Sequence, residues 1–116
     1  MNKNDCIFCR IARKEIPAKI VFEDDKILAF EDIKPQAPEH ILLVPKYHIE
    51  KISDLTESNI HMIGDLVLAA NKIARDRGVE DSGYRIVLNC NKGAGQEVFH
   101  LHLHLLGGRK FSWPPG

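Results

Sequence analysis

Between Val98 and Leu106, apolar and histidine positions alternate without a break. Val98, His100, His102, His104 and Leu106 share one parity, while Phe99, Leu101, Leu103 and Leu105 share the other. Side chains alternate faces along a strand, so this pattern predicts one apolar face and one row of imidazoles spaced about 6.5–7 Å apart. Shorter runs predict its neighbours. Ile20–Glu23 and Lys26–Glu31 flank Asp24-Asp25 as a hairpin, and Ile41–Val44 is a β-branched-rich strand closed by Pro45. Tyr84–Asn89 is joined to Val98–Leu106 by the Gly-rich stretch Asn91-Lys-Gly-Ala-Gly95. Elsewhere the period is helical: Ile60, Ile63, Val67, Ala70 and Ala74 predict a long helix from Glu57 to Arg77, with Thr56 as its cap and Gly78 as its stop. A short helix is expected from Cys6 to Glu15, ended by Pro17. The sum is an α+β domain over residues 1–116, with about five mainly antiparallel strands, one long helix and one short one.

Bulk properties narrow the function. The chain has 116 residues, enough for one real core, and its 16 Lys+Arg balance 16 Asp+Glu. No single-sign field therefore points to nucleic acid or a membrane surface. The longest strongly apolar stretch, Ile41 to Pro45, is far too short for a bilayer. No apolar segment of the signal-peptide kind follows Met1–Asp5, so the expected location is the cytoplasm. There an odd count of 3 cysteines, two of them in Cys6-Ile-Phe-Cys9, reads as a metal half-site; packed thiols or a redox pair are the other readings. Cys90 is expected to be a buried small apolar group.

The histidine row carries the chemistry. A neutral imidazole can be a nucleophile, a base or a metal ligand near pH 7, and three on one face can divide those roles. With His102 as nucleophile, attack on phosphorus gives a phosphohistidine that water cleaves in a second step. That scheme needs a partner on the other ring nitrogen and donors for the phosphoryl oxygens. Gly93 and Gly95 allow backbone N–H groups to approach a phosphate, and Gln96 would add its side-chain amide. Asp32 can accept both hydroxyls of a ribose, with apolar neighbours as walls for a base. Core packing is the competing explanation for Phe8, Phe30 and Ile33.

His100-Leu-His-Leu-His104-Leu-Leu resembles the signature of the histidine triad (HIT) superfamily. Leu106-Gly-Gly-Arg109, Trp113-Pro-Pro-Gly116, Lys14-Glu-Ile-Pro-Ala18, Phe22-Glu-Asp-Asp25, Ala29-Phe-Glu-Asp-Ile33 and Pro35-Gln-Ala-Pro38 resemble its nucleotide-binding branch. The resemblance runs from about Cys6 to Gly116 and implies a HIT-like fold. It implies that His102 takes the nucleoside monophosphoryl group and that His104 contacts the α-phosphate, beside Asn89 and Gly95-Gln96-Glu97. Asp32 and Ile33 would hold ribose and base, with Phe8 and Phe30 lining the base pocket. His100 and His40 complete the catalytic histidines, His40 as a supporting or core residue near the triad. Glu97 departs from the animal members, which carry a serine there; its carboxylate would point away from a phosphate or act as an acid. Several bacterial relatives bind zinc through two cysteines and two histidines. The matching positions are Cys6, Cys9, His48 and His100, implying one structural Zn2+ per chain. His61 would lie on the surface of the long helix.

The activity so implied is that of a purine nucleoside phosphoramidase or nucleotidyl hydrolase, acting on AMP- or GMP-type phosphoramidates. The alternatives are a nucleotide-binding regulatory or protein-interaction module with a vestigial triad, and a plain zinc-stabilised module, which leaves Asp32 and Gly93–Gly95 unexplained. The resemblance also implies a homodimer. Ile60, Ile63, Val67 and Ala70, with Met62, Leu66 and Ala69 beside them, form an apolar arc wider than one sheet face normally covers. A dimer on this helix and the Tyr84–Asn89 strand would cover it, with Trp113–Gly116 near the opposite subunit's active site.

Overall fold

The protein is described by a computed structural model over residues 5–116. Residues 1–4, part of the segment read above for an export signal, lie outside it. Helix α1 (Ile7–Ala12) is followed by strands β1 (Ile20–Glu23), β2 (Ile27–Glu31) and β3 (Glu39–Pro45), then helix α2 (His61–Asp76), β4 (Tyr84–Val87) and β5 (Leu103–Gly107). The strands form one sheet in the order β1-β2-β3-β5-β4, every pair antiparallel. This is the α+β architecture expected from the alternation.

The β1–β2 turn is set by Asp24, whose Oδ1 accepts the backbone N–H groups of Lys26 (2.8 Å) and Ile27 (2.7 Å). Side-chain parity then divides the sheet into two faces. Ile27, Ala29, Ile41, Leu43, Leu103 and Leu105 bury against Leu66, Ala70, Ile73 and Ala74 of α2. On the other face Leu28, Phe30, Leu42 and Val44 bury against Phe8, Cys9 and Ile11 of α1 and against Cys6. Each fully buried Leu or Ile contributes about 1.5–3 kcal/mol. Helix α1 spans only 6 residues and packs over Leu28, Phe30, Leu42 and Val44.

Several boundaries differ from expectation; β4, for one, ends at Val87 rather than Asn89. The long helix begins at His61, not Glu57, because Thr56 does not cap it: its hydroxyl pairs with Ser58 Oγ (2.8 Å), and residues 57–60 form a turn. Its inward stripe is Leu66, Ala69, Ala70, Ile73 and Ala74, while Ile60 is exposed and Ile63 and Val67 are half-buried. The histidine strand joins the ladder only at Leu103. Before that the chain leaves β3, and Leu101 N–H donates instead to Ile49 O (2.7 Å). The alternation survives in an extended segment without a ladder, since Leu101, Leu103 and Leu105 all stay buried. Short helix α1 ends at Ala12, with Lys14 in a left-handed conformation (φ 64°).

Candidate active site and metal centre

Two histidines of the row, His100 and His102, are fixed by backbone carbonyls, and the polarity of each partner sets a tautomer. His102 Nδ1 lies 2.8 Å from His100 O. A carbonyl only accepts, so Nδ1 carries the proton and Nε2 presents its lone pair. His100 Nε2 lies 2.7 Å from Pro45 O, so there the proton is on Nε2 and the lone pair is on Nδ1. His40 is the reverse case. Its Nδ1 accepts the backbone N–H of Gln36 at 3.0 Å, so the proton sits on Nε2, 2.9 Å from His104 Nδ1. His104 therefore accepts at Nδ1 and keeps an Nε2–H to donate.

Burial keeps these rings neutral. It pushes His104 down to about 4, with His102 and His40 adding smaller depressions and Asp32 opposing them. Burial likewise lowers His102, against the His100 carbonyl and Asp32, which favour the charged ring. His40 is lowered by burial and partly restored by Asp32, whose Oδ2 is 3.4 Å from its Nε2. The other Asp32 oxygen accepts Lys34 N–H at 2.8 Å.

Aromatic packing holds the histidine row from the α1 side. Phe8 packs edge-on against Phe30 (5.4 Å), His102 (5.2 Å) and His100 (5.9 Å). Phe8 and Phe30 are buried, whereas Ile33 is 93% exposed, an apolar side chain left open beside Asp32. Asn89 is half-buried, with its Nδ2 facing the place a Cβ on Gly95 would occupy. The adjoining loop is held by Gln96 rather than lined by it. Gln96 is buried; its Oε1 accepts Asn91 N–H (2.8 Å) and its Nε2 donates to Glu50 O (2.8 Å) and Val98 O (3.1 Å). The expectation that this amide faces a phosphate is thereby corrected: both ends of it are spent on backbone groups, and the N–H groups of Ala94, Gly95 and Gln96 also donate within the loop, to Asn91 O and Lys92 O. Glu97 is exposed. His61 opens α2 at the surface, remote from the histidine row, beside Tyr47 and Met62. Cys90 is half-buried with its thiol 3.4 Å from Ser53 Oγ, not the buried apolar group expected.

Cys6, Cys9, His48 and His100 come together from three separate parts of the chain, with their donor atoms within 4.8 Å of one another. Cys6 Sγ also accepts Cys9 N–H (3.3 Å), so the first thiol caps the helix that carries the second. His100 Nδ1 lies 3.2 Å from Cys6 Sγ, 3.5 Å from Cys9 Sγ and 3.1 Å from His48 Nδ1, while His48 Nδ1 lies 3.3 Å from Cys9 Sγ. Ordinary Zn–S and Zn–N lengths in a tetrahedron place ligand atoms about 3.3–3.8 Å apart, and these contacts of 3.1–3.5 Å lie close to that spacing. The residues present fit a four-coordinate metal, and no disulfide competes for the thiols among the described residues.

Sequence reasoning missed the backbone half of the site: the Gln36 N–H and the carbonyls of Pro45, Glu50 and Ile49. Main-chain groups carry no side-chain signal, so only the chain path reveals them.

A family model for the HIT domain matches residues 13–111. The chain belongs to the HIT family. Among its HIT-family relatives, the purine nucleoside phosphoramidase of Escherichia coli is 46% identical over 105 residues, covering 90% of this chain and 88% of that protein. The 14 kDa zinc-binding protein of Zea mays is 45% identical, covering 100% of this chain and 91% of that protein. A HIT family hydrolase from Legionella pneumophila superposes with a TM-score of 0.95 at 53% identity, over 97% of this chain and 100% of that one. Among the described residues no helix is long and apolar enough to cross a membrane.

Proposed function

We propose that this HIT protein is a nucleoside phosphoramidase, hydrolysing the P–N bond of purine nucleoside 5′-phosphoramidates. The observation that carries this reading is the pair of opposed tautomers: a lone pair on His102 Nε2 beside an N–H on His104 Nε2. The first suits attack on phosphorus, and the second suits donation to the oxygens that gain charge in the transition state. His102 Nε2 forms a bond to phosphorus as the P–N bond breaks, and the amine leaves with the electron pair and takes up a proton. Water then adds to phosphorus and the N–P bond to His102 breaks, releasing nucleoside 5′-monophosphate and regenerating the imidazole. Asp32 accepts the ribose hydroxyls, with Ile33, Phe8 and Phe30 as base contacts. Asn89, Gly95 and the backbone of Gln96-Glu97 contact the phosphate. The name of the Escherichia coli relative supports the substrate class.

Zinc is the proposed occupant of the Cys6, Cys9, His48 and His100 cluster, one ion per chain. With four protein donors no position is left for water, so its contribution is to pin α1 to the sheet. The name of the Zea mays relative supports this choice of metal. The chain is further proposed to act as a homodimer, paired through α2 and the outer edge of β4, where Leu68 is 69% exposed and Gly64 faces open space. Its expected location is the cytoplasm.

Intact-mass measurement after seconds of mixing with adenosine or guanosine 5′-phosphoramidate tests the reaction. A nucleotidyl adduct that maps to His102 and decays to monophosphate is expected. Turnover without any adduct, and undiminished in His102→Ala, would remove the covalent mechanism.

A further inference from the structure

The Leu106-Gly-Gly-Arg109 motif takes no part in the chemistry above, yet its geometry is tightly constrained. A Cβ at Gly107 would lie 3.0 Å from the Val79 side chain. Gly108 has φ +91°, and a Cβ there would lie 2.9 Å from Pro38 Cβ. Only glycine combines that left-handed backbone with so close an approach. The two glycines thus let the chain turn off the end of β5 and lie against the loop of residues 35–38, which leads into β3.

The turn delivers Arg109 to one target. Its Nε donates to Gln36 O at 3.0 Å, and its guanidinium lies 4.3 Å above the Phe111 ring. Arg85 reaches the same ring at 5.1 Å and donates to Ser112 O at 2.9 Å, so residues 109–112 are strapped to their own chain. Beyond this strap, Trp113 stays 84% exposed. Gln36, gripped at its carbonyl, donates its N–H to His40 Nδ1 at 3.0 Å. Residue 36 is therefore held from both of its peptide units.

We propose that Arg109 is a positioning residue that fixes the tautomers of His40 and His104 through Gln36. With the Gln36 N–H in place, His40 must carry its proton on Nε2, and His104 must accept at Nδ1 and donate from Nε2. If that N–H swings away, a proton can move to His40 Nδ1. The pair then inverts, and His104 presents a lone pair where a phosphoryl oxygen has to bind. The pairing is short and buried on the His40 side, so the inversion is transmitted rather than absorbed by water. The link from tautomer to rate rests on the phosphoramidase reading; the link from Arg109 to tautomer does not.

Long-range 1H–15N spectra of the imidazoles in the full-length protein read the tautomers directly, and steady-state kinetics with a nucleoside phosphoramidate read their effect. In the parent protein His40 and His104 are both expected as Nε2–H tautomers. In Arg109→Gln their Nδ1 and Nε2 shifts should move toward averaged values, with kcat down by about 3–10-fold and KM changed less than about twofold. Arg109→Lys, which keeps a cationic donor, should recover most of both. Gly108→Ala should reproduce the Arg109→Gln spectra by displacing the loop. Unchanged tautomers in both Arg109→Gln and Gly108→Ala would overturn the proposal, as would a loss of thermal stability or rate without any tautomer change. A parent protein that lacks phosphoramidase turnover, but whose tautomers follow Arg109, would sink the reaction and leave the positioning role standing.

Discussion

Two groups of close-set donors lie along the histidine row, and they are built from overlapping residue types: Cys6, Cys9, His48 and His100 in one, Asp32, His40 and His104 in the other. Spacing alone would let either hold a metal. Their backbone partners separate them. His100 gives its outer N–H to a carbonyl, Pro45 O, which frees the inner nitrogen as a ligand. His40 receives an N–H from Gln36, which forces the proton onto the inner nitrogen, where a ligand would need a lone pair. For His40 Nε2 to bind a cation it would have to lose its only proton or break the Gln36 contact. On the proposed function, one group is arranged for a metal and the other for passing hydrogen bonds to a phosphate. A donor cluster is thus read from the polarity of what stands behind it as well as from its distances.

His102 sits between the two groups and belongs to neither, its Nδ1–H donating to the carbonyl of His100. Its removal should have the largest effect. His102→Ala is expected to lower kcat by ~10^3-fold or more, with nucleotide affinity within a few-fold of the parent in a calorimetric titration. Near-parental turnover would mean that the row does not divide its work in this way.

The metal group should dominate stability. Protein purified without chelator is expected to carry about one zinc per chain by elemental analysis. Cys6→Ser or chelation should remove it and lower Tm by roughly 10 °C or more. His40→Ala should leave the zinc content untouched; if it emptied the site as Cys6→Ser does, the separation of the two groups would fail.

Asp32 gives a smaller and opposite signature. Asp32→Asn keeps its shape but weakens acceptance of two hydroxyls, so nucleotide Kd should rise by about 10-fold with Tm within about 2 °C of the parent. Equal weakening for a 2′,3′-dideoxy ligand would break the ribose assignment.

The mildest test is pH. His104 is held down to about 4, below the ordinary value for histidine near 6.5. The folded state refuses protons that the unfolded chain accepts between those values, so stability is fully present above about pH 6.5 and declines as the pH falls toward 4. Activity should stay level from pH 8 to about 5.5, where a solvent-exposed imidazole would have lost about nine-tenths of its neutral form. An acid limb centred near 6.5 in kcat/KM would show that burial does not protect the pair.

Much of the fold was legible because its signals are local. The hairpin signal at Asp24-Asp25 marked β1 and β2, the apolar run closed by Pro45 marked β3, alternation marked the histidine row, and Asp24 holds the first turn through contacts two and three residues away. The misreadings were also local in origin. Thr56 looks like a helix cap, but its hydroxyl pairs with the nearby Ser58 Oγ instead of a helix N–H. Gln96 looks like a phosphate donor, but its amide is consumed by Glu50, which lies 46 residues away in sequence. The Gly-Gly-Arg motif was visible, while its target was not, because Gln36 is 73 residues distant and offers only a carbonyl.

The sequence by itself determined which residues share a face, since parity along a strand is a property of the covalent chain: His100, His102 and His104 could not avoid standing together, nor Leu101, Leu103 and Leu105 opposite them. It also supplied the thiols at a spacing that puts them on one helical turn. Only the tertiary structure decided what each imidazole does. A ring has two nitrogens and one proton, and the choice between them is made by whether a distant backbone N–H or C=O arrives at its far side. That arrival depends on the crossing of β3, β5 and their loops, which no local pattern encodes.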